Sequence, residues 1–251
     1  MAPSVKQTRE DLICKAKLAE KAERYDDMVK FMEKIAVTCS GNLTVEERNL
    51  FASSFKSVIG TRRMAWRIVS SIGKKDESDG KEQQSEIARD YLTEIEIELT
   101  EICERILKLL DQKLIPAAKD ADSKVSYLKL KGDYYRYMAE YMVGSERKDA
   151  AENTLKTYKA AQDIATKELT PASHLRLGLV LNFSVFYYEI LNSSDKACAL
   201  AKEAFEAAVS EMEGAEGDES FADSAMIIQL LRDNLKLWTG EDEDEIMEPS
   251  E

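Results

Sequence analysis

Along almost the whole chain apolar residues recur at steps of three and four, the spacing that collects them on one face of an α-helix. Strand-like alternation never survives more than a few residues. The pattern predicts nine amphipathic helices, running from about Thr8 to Arg24, Tyr25 to Cys39, Val45 to Lys75, Glu82 to Leu114, Ala121 to Val143, Ser145 to Leu169, Ser173 to Leu191, Asp195 to Met212 and Phe221 to Trp238. Gly41 offers a left-handed stop after the second helix, and Thr44-Val45-Glu46-Glu47 is a capping box that opens the third. The third carries Gly60 in its interior, and the polar Lys74-to-Lys81 run (KKDESDGK) after it reads as a loop. Pro116 ends the fourth helix, Gly144 the fifth and Gly240 the ninth, while Ser145 caps the sixth. Thr170-Pro171 reads as a cap followed by proline at the first helical position. Antiparallel helices joined by short loops, an all-α architecture, follow from this. Asn153 to Ala165 (NTLKTYKAAQDIA) suggests helical-repeat packing, although the strict period of about 34 residues is missing.

Composition agrees. Only four prolines, at positions 3, 116, 171 and 249, interrupt 251 residues rich in Ala, Leu, Glu and Lys. Charge changes the picture more. The formal net charge of −13 is uneven, because Thr239 to Glu251 holds seven acids (Glu241, Asp242, Glu243, Asp244, Glu245, Glu248 and Glu251) and no base. Residues 1–238 carry 41 acids against 35 bases, or −6. Neither balance suits a generic nucleic-acid binder, so any anion site has to come from locally concentrated positive charge. The tail over 240–251 is expected to be disordered and solubilising, with weak competition for a basic site as the alternative.

Cys14, Cys39, Cys103 and Cys198 lie far apart with no C-x-x-C pair, and His174 is the single histidine. No zinc or haem site of the usual spacing, no disulfide framework and no cofactor is expected. The N-terminus lacks a signal-peptide apolar run, and no stretch approaches the length of a membrane span. These features point to a reducing, intracellular compartment. An enzyme is disfavoured by the lack of a nucleophile elbow, a phosphate-cradling glycine loop or a metal-ligand cluster.

On the third helix Lys56, Arg63 and Arg67 stand at i, i+7 and i+11, within roughly 40° of one another, while Arg62 points well away. Such a stripe is either a solvated face with acidic partners or a place where an anion binds. On the fifth helix Lys129, Asp133, Arg136 and Tyr137 share a face, so that a guanidinium fork and a phenol could meet phosphate oxygens while Asp133 orients a neighbouring cation. The same face could equally be an internal ion-pair network stapling helices together. Leu181, Val185 and Tyr188, flanked by Asn182 and Glu189, form a stripe on the seventh helix, and Ile227, Leu230, Asn234 and Leu237 form one on the ninth. Apolar stripes are ordinarily core. An asparagine within one can also bond both donor and acceptor of an extended peptide.

Several strings are specific: KLAEKAERYDD from Lys17, EERNL from Glu46, KSVIGTRRMAWRIVSS from Lys56, KGDYYRY from Lys131, RLGLVLNFSVFYYEILN from Arg176 and QLLRDNLKLW from Gln229. Over about residues 10–239 the chain resembles the 14-3-3 family, and AAENTL from Ala150 is similar to plant-type members. The resemblance implies a single domain over 1–239, a nine-helix cup-shaped protomer with a concave ligand groove. It also implies a dimer formed through the helices of about 8–39, acting as an adaptor for phosphoserine- and phosphothreonine-containing clients in signal transduction. It assigns the phosphate grip to Lys56, Arg63, Arg136 and Tyr137, supported by Arg67, Lys129 and Asp133. Ligand-backbone contacts fall on Asn182 and Asn234. The groove wall falls on Leu181, Val185, Glu189, Ile227, Leu230, Leu237 and Trp238. Homodimer or heterodimer partners, no nucleic acid, no membrane span and a cytoplasmic location, with the nucleus in addition, complete the expectation.

The chain departs from the family pattern in three places. Ala65 stands where many members have a phosphorylatable serine that disfavours dimers, so that switch is absent. Glu94 stands where many have a base facing an acid that matches Asp27, whereas the Arg24–Glu98 pairing is retained, which implies an altered preference between homodimer and heterodimer. The family's proline-threonine-histidine-proline order is disrupted at Pro171-Ala172-Ser173-His174, away from every expected phosphate ligand.

Overall fold

The computed structural model describes residues 7–38, 43–213 and 222–240. Among them are nine long helices and no strand. The chain divides into two compact units, 1–118 and 119–251.

The first unit contains α1 (Arg9–Lys21), α2 (Tyr25–Thr38), α3 (Val45–Ser78) and α4 (Glu82–Leu109). The Thr44 capping box forms as predicted: Glu47 N donates to Thr44 Oγ1 at 3.3 Å, and Thr44 N donates to Glu47 Oε2 at 2.8 Å. Glu47 is buried and also receives Arg9 Nε at 2.6 Å, so one carboxylate opens α3 and anchors α1 to it. Thr8 and Asp11 build a second capping box on α1. That helix stops at Lys21, short of the expected Arg24, because Glu23 takes a φ of 54° and Arg24 N bonds back to Ala19 O at 2.8 Å.

α3 runs on to Ser78, through most of the segment expected to be a loop. Polarity there marks exposure and not a break, since Lys and Glu are good helix formers. Only Asp79-Gly80-Lys81 turn the corner, with Gly80 at φ 72° and Lys81 Nζ tied to Asp76 at 3.0 Å. α4 ends at Leu109, ahead of Pro116 and of the expected Leu114, but the helical path does not stop there. It passes through a wide π turn, Leu110–Leu114, into a last helical turn, Ile115–Ala117, whose start tolerates a residue without an N–H. Met28, Met32, Ile35, Phe51, Phe55, Ile59, Leu99 and Ile106 form the core of this unit. Arg62 bridges Asp26 at 3.3 Å and Glu98 at 3.1 Å, linking α3 to both α2 and α4.

The second unit contains α5 (Ala121–Tyr141), α6 (Gly144–Glu168), α7 (His174–Glu189), α8 (Ser194–Glu213) and α9 (Ala222–Thr239). Asp120 caps α5, accepting from Ser123 N at 2.7 Å. Gly144 opens α6 at φ 59° instead of closing α5, so Val143 and not Ser145 holds the cap position. Ser173 holds it for α7, leaving Pro171 in the preceding turn. Tyr158 of α6 packs on Phe183 and Phe186 of α7, and Leu177 and Val180 of α7 meet Leu231 and Leu235 of α9. Gly240 at φ 73° stops α9 as expected. The Gly41 stop, Cys39, Phe221 and the acidic tail from Glu241 onward lie outside the described residues.

Arg9 holds the Glu47 carboxyl below its usual range, against the opposing effect of burial. A carboxyl depressed in the folded state adds stability above its unfolded pKa, and that stability is lost as pH falls through the folded value. Glu47→Ala is therefore expected to lose about 1–3 kcal/mol at neutral pH. In urea unfolding the gap from the wild type should narrow through the acid range.

Candidate functional site

In the second unit, the α5 face read from the sequence converges on one buried carboxylate. Asp133 Oδ1 accepts from Tyr158 Oη at 2.5 Å and Asn182 Nδ2 at 2.7 Å, and Oδ2 accepts from Lys129 Nζ at 2.9 Å. Burial would push this carboxyl up, but the charges of Lys129 and Arg136, with the Tyr158 bond, hold it below its usual range. It stays ionised at neutral pH.

Arg136 is only 6% exposed. Its Nε donates to Tyr158 Oη at 3.3 Å, and its guanidinium carbon lies 4.8 Å from the centroid of the Tyr137 ring. The terminal amino groups come no nearer than 3.6 Å to Glu140 and 3.8 Å to Asp133, distances that supply charge balance but lie beyond hydrogen bonding. Burial opposes the charge, yet Tyr158, Tyr137 and Asp133 more than offset it and keep the guanidinium cationic. The internal network allowed by the spacing is thus present. It leaves the forked end of Arg136 without a hydrogen bond among the described residues.

Three contributors went unnoticed in the sequence reading: Tyr158, Glu140 and Gly132. A Cβ on Gly132 would lie 2.4 Å from Cε1 of Tyr158, so the mid-helix glycine exists to admit that ring. A glycine inside KGDYYRY, where it costs about 1 kcal/mol relative to alanine, was the available signal of close approach.

On α7, Asn182 is half-buried and turned toward Asp133, Leu181 and Val185 are partly exposed, and Glu189 is exposed. On α9, Leu230 and Leu237 are 45% and 76% exposed, unlike the core residues Leu231 and Leu235. Ile227 and Asn234 are half-buried, and Trp238 stacks on Tyr188 at 4.8 Å between centroids. In the first unit Lys56 and Arg67 are exposed and Arg63 is half-buried on α3, while Arg62 points away into its own ion pairs as the helical spacing predicts. The Arg24–Glu98 pairing implied by the resemblance joins two protomers. Within the chain Arg24 Nε donates to Asp27 at 2.6 Å, Glu98 pairs with Arg62, and Glu94 is exposed. His174 is an exposed helix-start residue. Among the described residues no group of His, Cys, Asp and Glu could hold a metal, and no helix is long and apolar enough to cross a membrane.

Comparison with known proteins decides the family. The profile of the 14-3-3 protein family matches residues 15–239. The chain belongs to the 14-3-3 family. It is 58% identical over 245 residues to the 14-3-3-like protein GF14 chi of Arabidopsis thaliana, covering 97% of this chain and 91% of that protein. It is 59% identical over 242 residues to 14-3-3-like protein B of Hordeum vulgare, covering 96% and 92%. With 14-3-3-like protein C of Nicotiana tabacum identity is 60% over 238 residues, covering 94% and 91%. As a 14-3-3 protein the chain is a dimeric adaptor for phosphorylated clients and not an enzyme, and its kinship with plant members fits the AAENTL string.

Gly132→Ala should lower stability by about 1–3 kcal/mol, since the added methyl must displace a buried ring. Urea unfolding followed by circular dichroism reads this directly.

Proposed function

We propose that this 14-3-3 protein grips the phosphate of phosphoserine and phosphothreonine clients through Lys56, Arg63, Arg136 and Tyr137, with Arg67, Lys129 and Asp133 in support. The observation that carries the reading is Arg136, a buried guanidinium fixed at Nε whose forked end has carboxylates near it but none within hydrogen-bonding distance. A phosphate with charge near −2 supplies acceptors that match such a fork. Asn182 and Asn234 hold the client backbone, and Leu181, Val185, Glu189, Ile227, Leu230, Leu237 and Trp238 wall the groove. The domain extends over 1–239. The protein works in the cytoplasm and nucleus.

Lys56→Glu puts repulsion where attraction was, and should weaken binding of a peptide with phosphoserine after an upstream arginine by about a hundredfold or more. Equal binding of phosphorylated and unphosphorylated peptides by both proteins would sink the reading. Because the Asp133 carboxyl is held below its usual range and Arg136 stays protonated, the pH profile near neutrality should be that of the ligand. Affinity should be level above about pH 6 and decline below it as the phosphate takes up its second proton. Isothermal titration across that range checks it.

Dimerisation through α1 and α2, with Arg24, Asp27, Glu94 and Glu98 at the interface, carries a like-charge pair, Asp27 and Glu94, in the homodimer. We expect a homodimer weaker than a heterodimer whose partner is basic at that place. A tight, salt-insensitive homodimer in sedimentation at low micromolar concentration would count against it.

A further inference from the structure

We propose that Tyr158 is a positioning residue of the phosphate grip, setting the direction of the Arg136 guanidinium. The inference rests on the reading of Arg136 as a phosphate ligand and assigns the part that a residue outside α5 has in it.

Tyr158 lies on α6 and is fully buried. Its hydroxyl is both donor and acceptor: it donates to Asp133 at 2.5 Å and accepts from Arg136 Nε at 3.3 Å. Arginine turns about several single bonds, so a guanidinium with a loose Nε can swing its fork through a wide arc. Of the three nitrogens, Nε is the only one with a hydrogen bond among the described residues, and Tyr158 is its acceptor. The carboxylates at 3.6 and 3.8 Å attract the charge without fixing its orientation.

The hydroxyl's own direction is fixed by the carboxylate. Asp133 is held by Lys129, Asn182 and Tyr158 together, so the phenolic proton points at Asp133 and an oxygen lone pair is left for Arg136. The ring is fixed as well, seated against Gly132 on one side and 5.3 Å, centroid to centroid, from Phe183. A rigid phenol thus conveys the position of a rigid carboxylate to a flexible cation, and preorganisation of that kind lowers the cost of ordering the ligand site.

The test uses the full chain, a fluorescent phosphoserine peptide with an upstream arginine, and anisotropy well below the unfolding temperature. Tyr158→Phe keeps the ring and removes only the hydroxyl. It should weaken phosphopeptide binding by about tenfold, the loss of one charge-assisted hydrogen bond. Arg136→Ala should weaken it further, and the double variant no further than Arg136→Ala alone, because Tyr158 acts through Arg136. Tyr187→Phe, another tyrosine of the same unit, should bind as the wild type does. Nitrogen-edited NMR should show the Arg136 Nε–H protected from exchange in the wild type and unprotected in Tyr158→Phe while the backbone amides of α5 and α6 keep their protection, a pattern that general loss of stability would not produce.

Unchanged affinity in Arg136→Ala overturns the phosphate reading itself. Weakened Arg136→Ala beside a wild-type Tyr158→Phe, or additive losses in the double variant, overturns the role of Tyr158 alone. If Tyr158→Phe does not fold, a fluorotyrosine at 158 keeps the hydroxyl but strengthens its donation and weakens its acceptance. A shifted affinity is then expected, and an unshifted one overturns the inference.

Discussion

Burying Arg136 would be prohibitive if it were alone, since a desolvated cation needs a compensating charge and hydrogen bonds to remain ionised. Asp133 supplies the charge, and Lys129, Asn182 and Tyr158 supply what the carboxylate itself then requires. Each of these comes from an element with its own reason to be there: α5 from a capped amphipathic repeat, α6 through an aromatic packed on Phe183, α7 through an asparagine beside its core residues. The packing of α5 on α6 and α7 and the ionisation of the site are therefore a single constraint. Loosening any of those contacts would expose a charge cluster whose balance depends on exclusion of water.

The net charge of −13 sits oddly with an anion site until distance is considered. At physiological ionic strength charges separated by more than about 8 Å are largely screened, whereas contacts inside the cluster are not. Acidic residues elsewhere thus weigh little against a few well-placed cations. What the net negative charge means is that the chain offers no broadly basic surface to a polyanion such as nucleic acid.

Much of this was legible in the sequence wherever cause and effect lie a few residues apart. The Thr44–Glu47 capping box and the turn of Arg62 away from the Lys56–Arg63–Arg67 stripe follow from helical spacing alone. The shared face of Lys129, Asp133 and Arg136 does too. What went unread depends on tertiary choice. Tyr158 reaches Asp133 from 25 residues away, and nothing in α6 by itself says that its ring turns inward toward α5. The extension of α3 to Ser78 was missed because a polar run was equated with a loop, although Gly73 just before it is buried so close to Ala88 of α4 that an added Cβ would lie 3.2 Å from it. Leu230 and Leu237 were as good candidates for core as Leu231 and Leu235, since α9 has apolar residues on both sides and periodicity cannot say which side is covered.

Gly132 and Tyr158 occupy one volume between them. A side chain at 132 must displace the ring or be matched by a smaller one at 158, and a smaller residue at 158 gives up the phenol. The two positions are therefore sterically coupled. Exchanging that packing one residue at a time passes through a state that is either overfilled or hollow, so the space filled by the ring and the polar contacts of its hydroxyl stand or fall together.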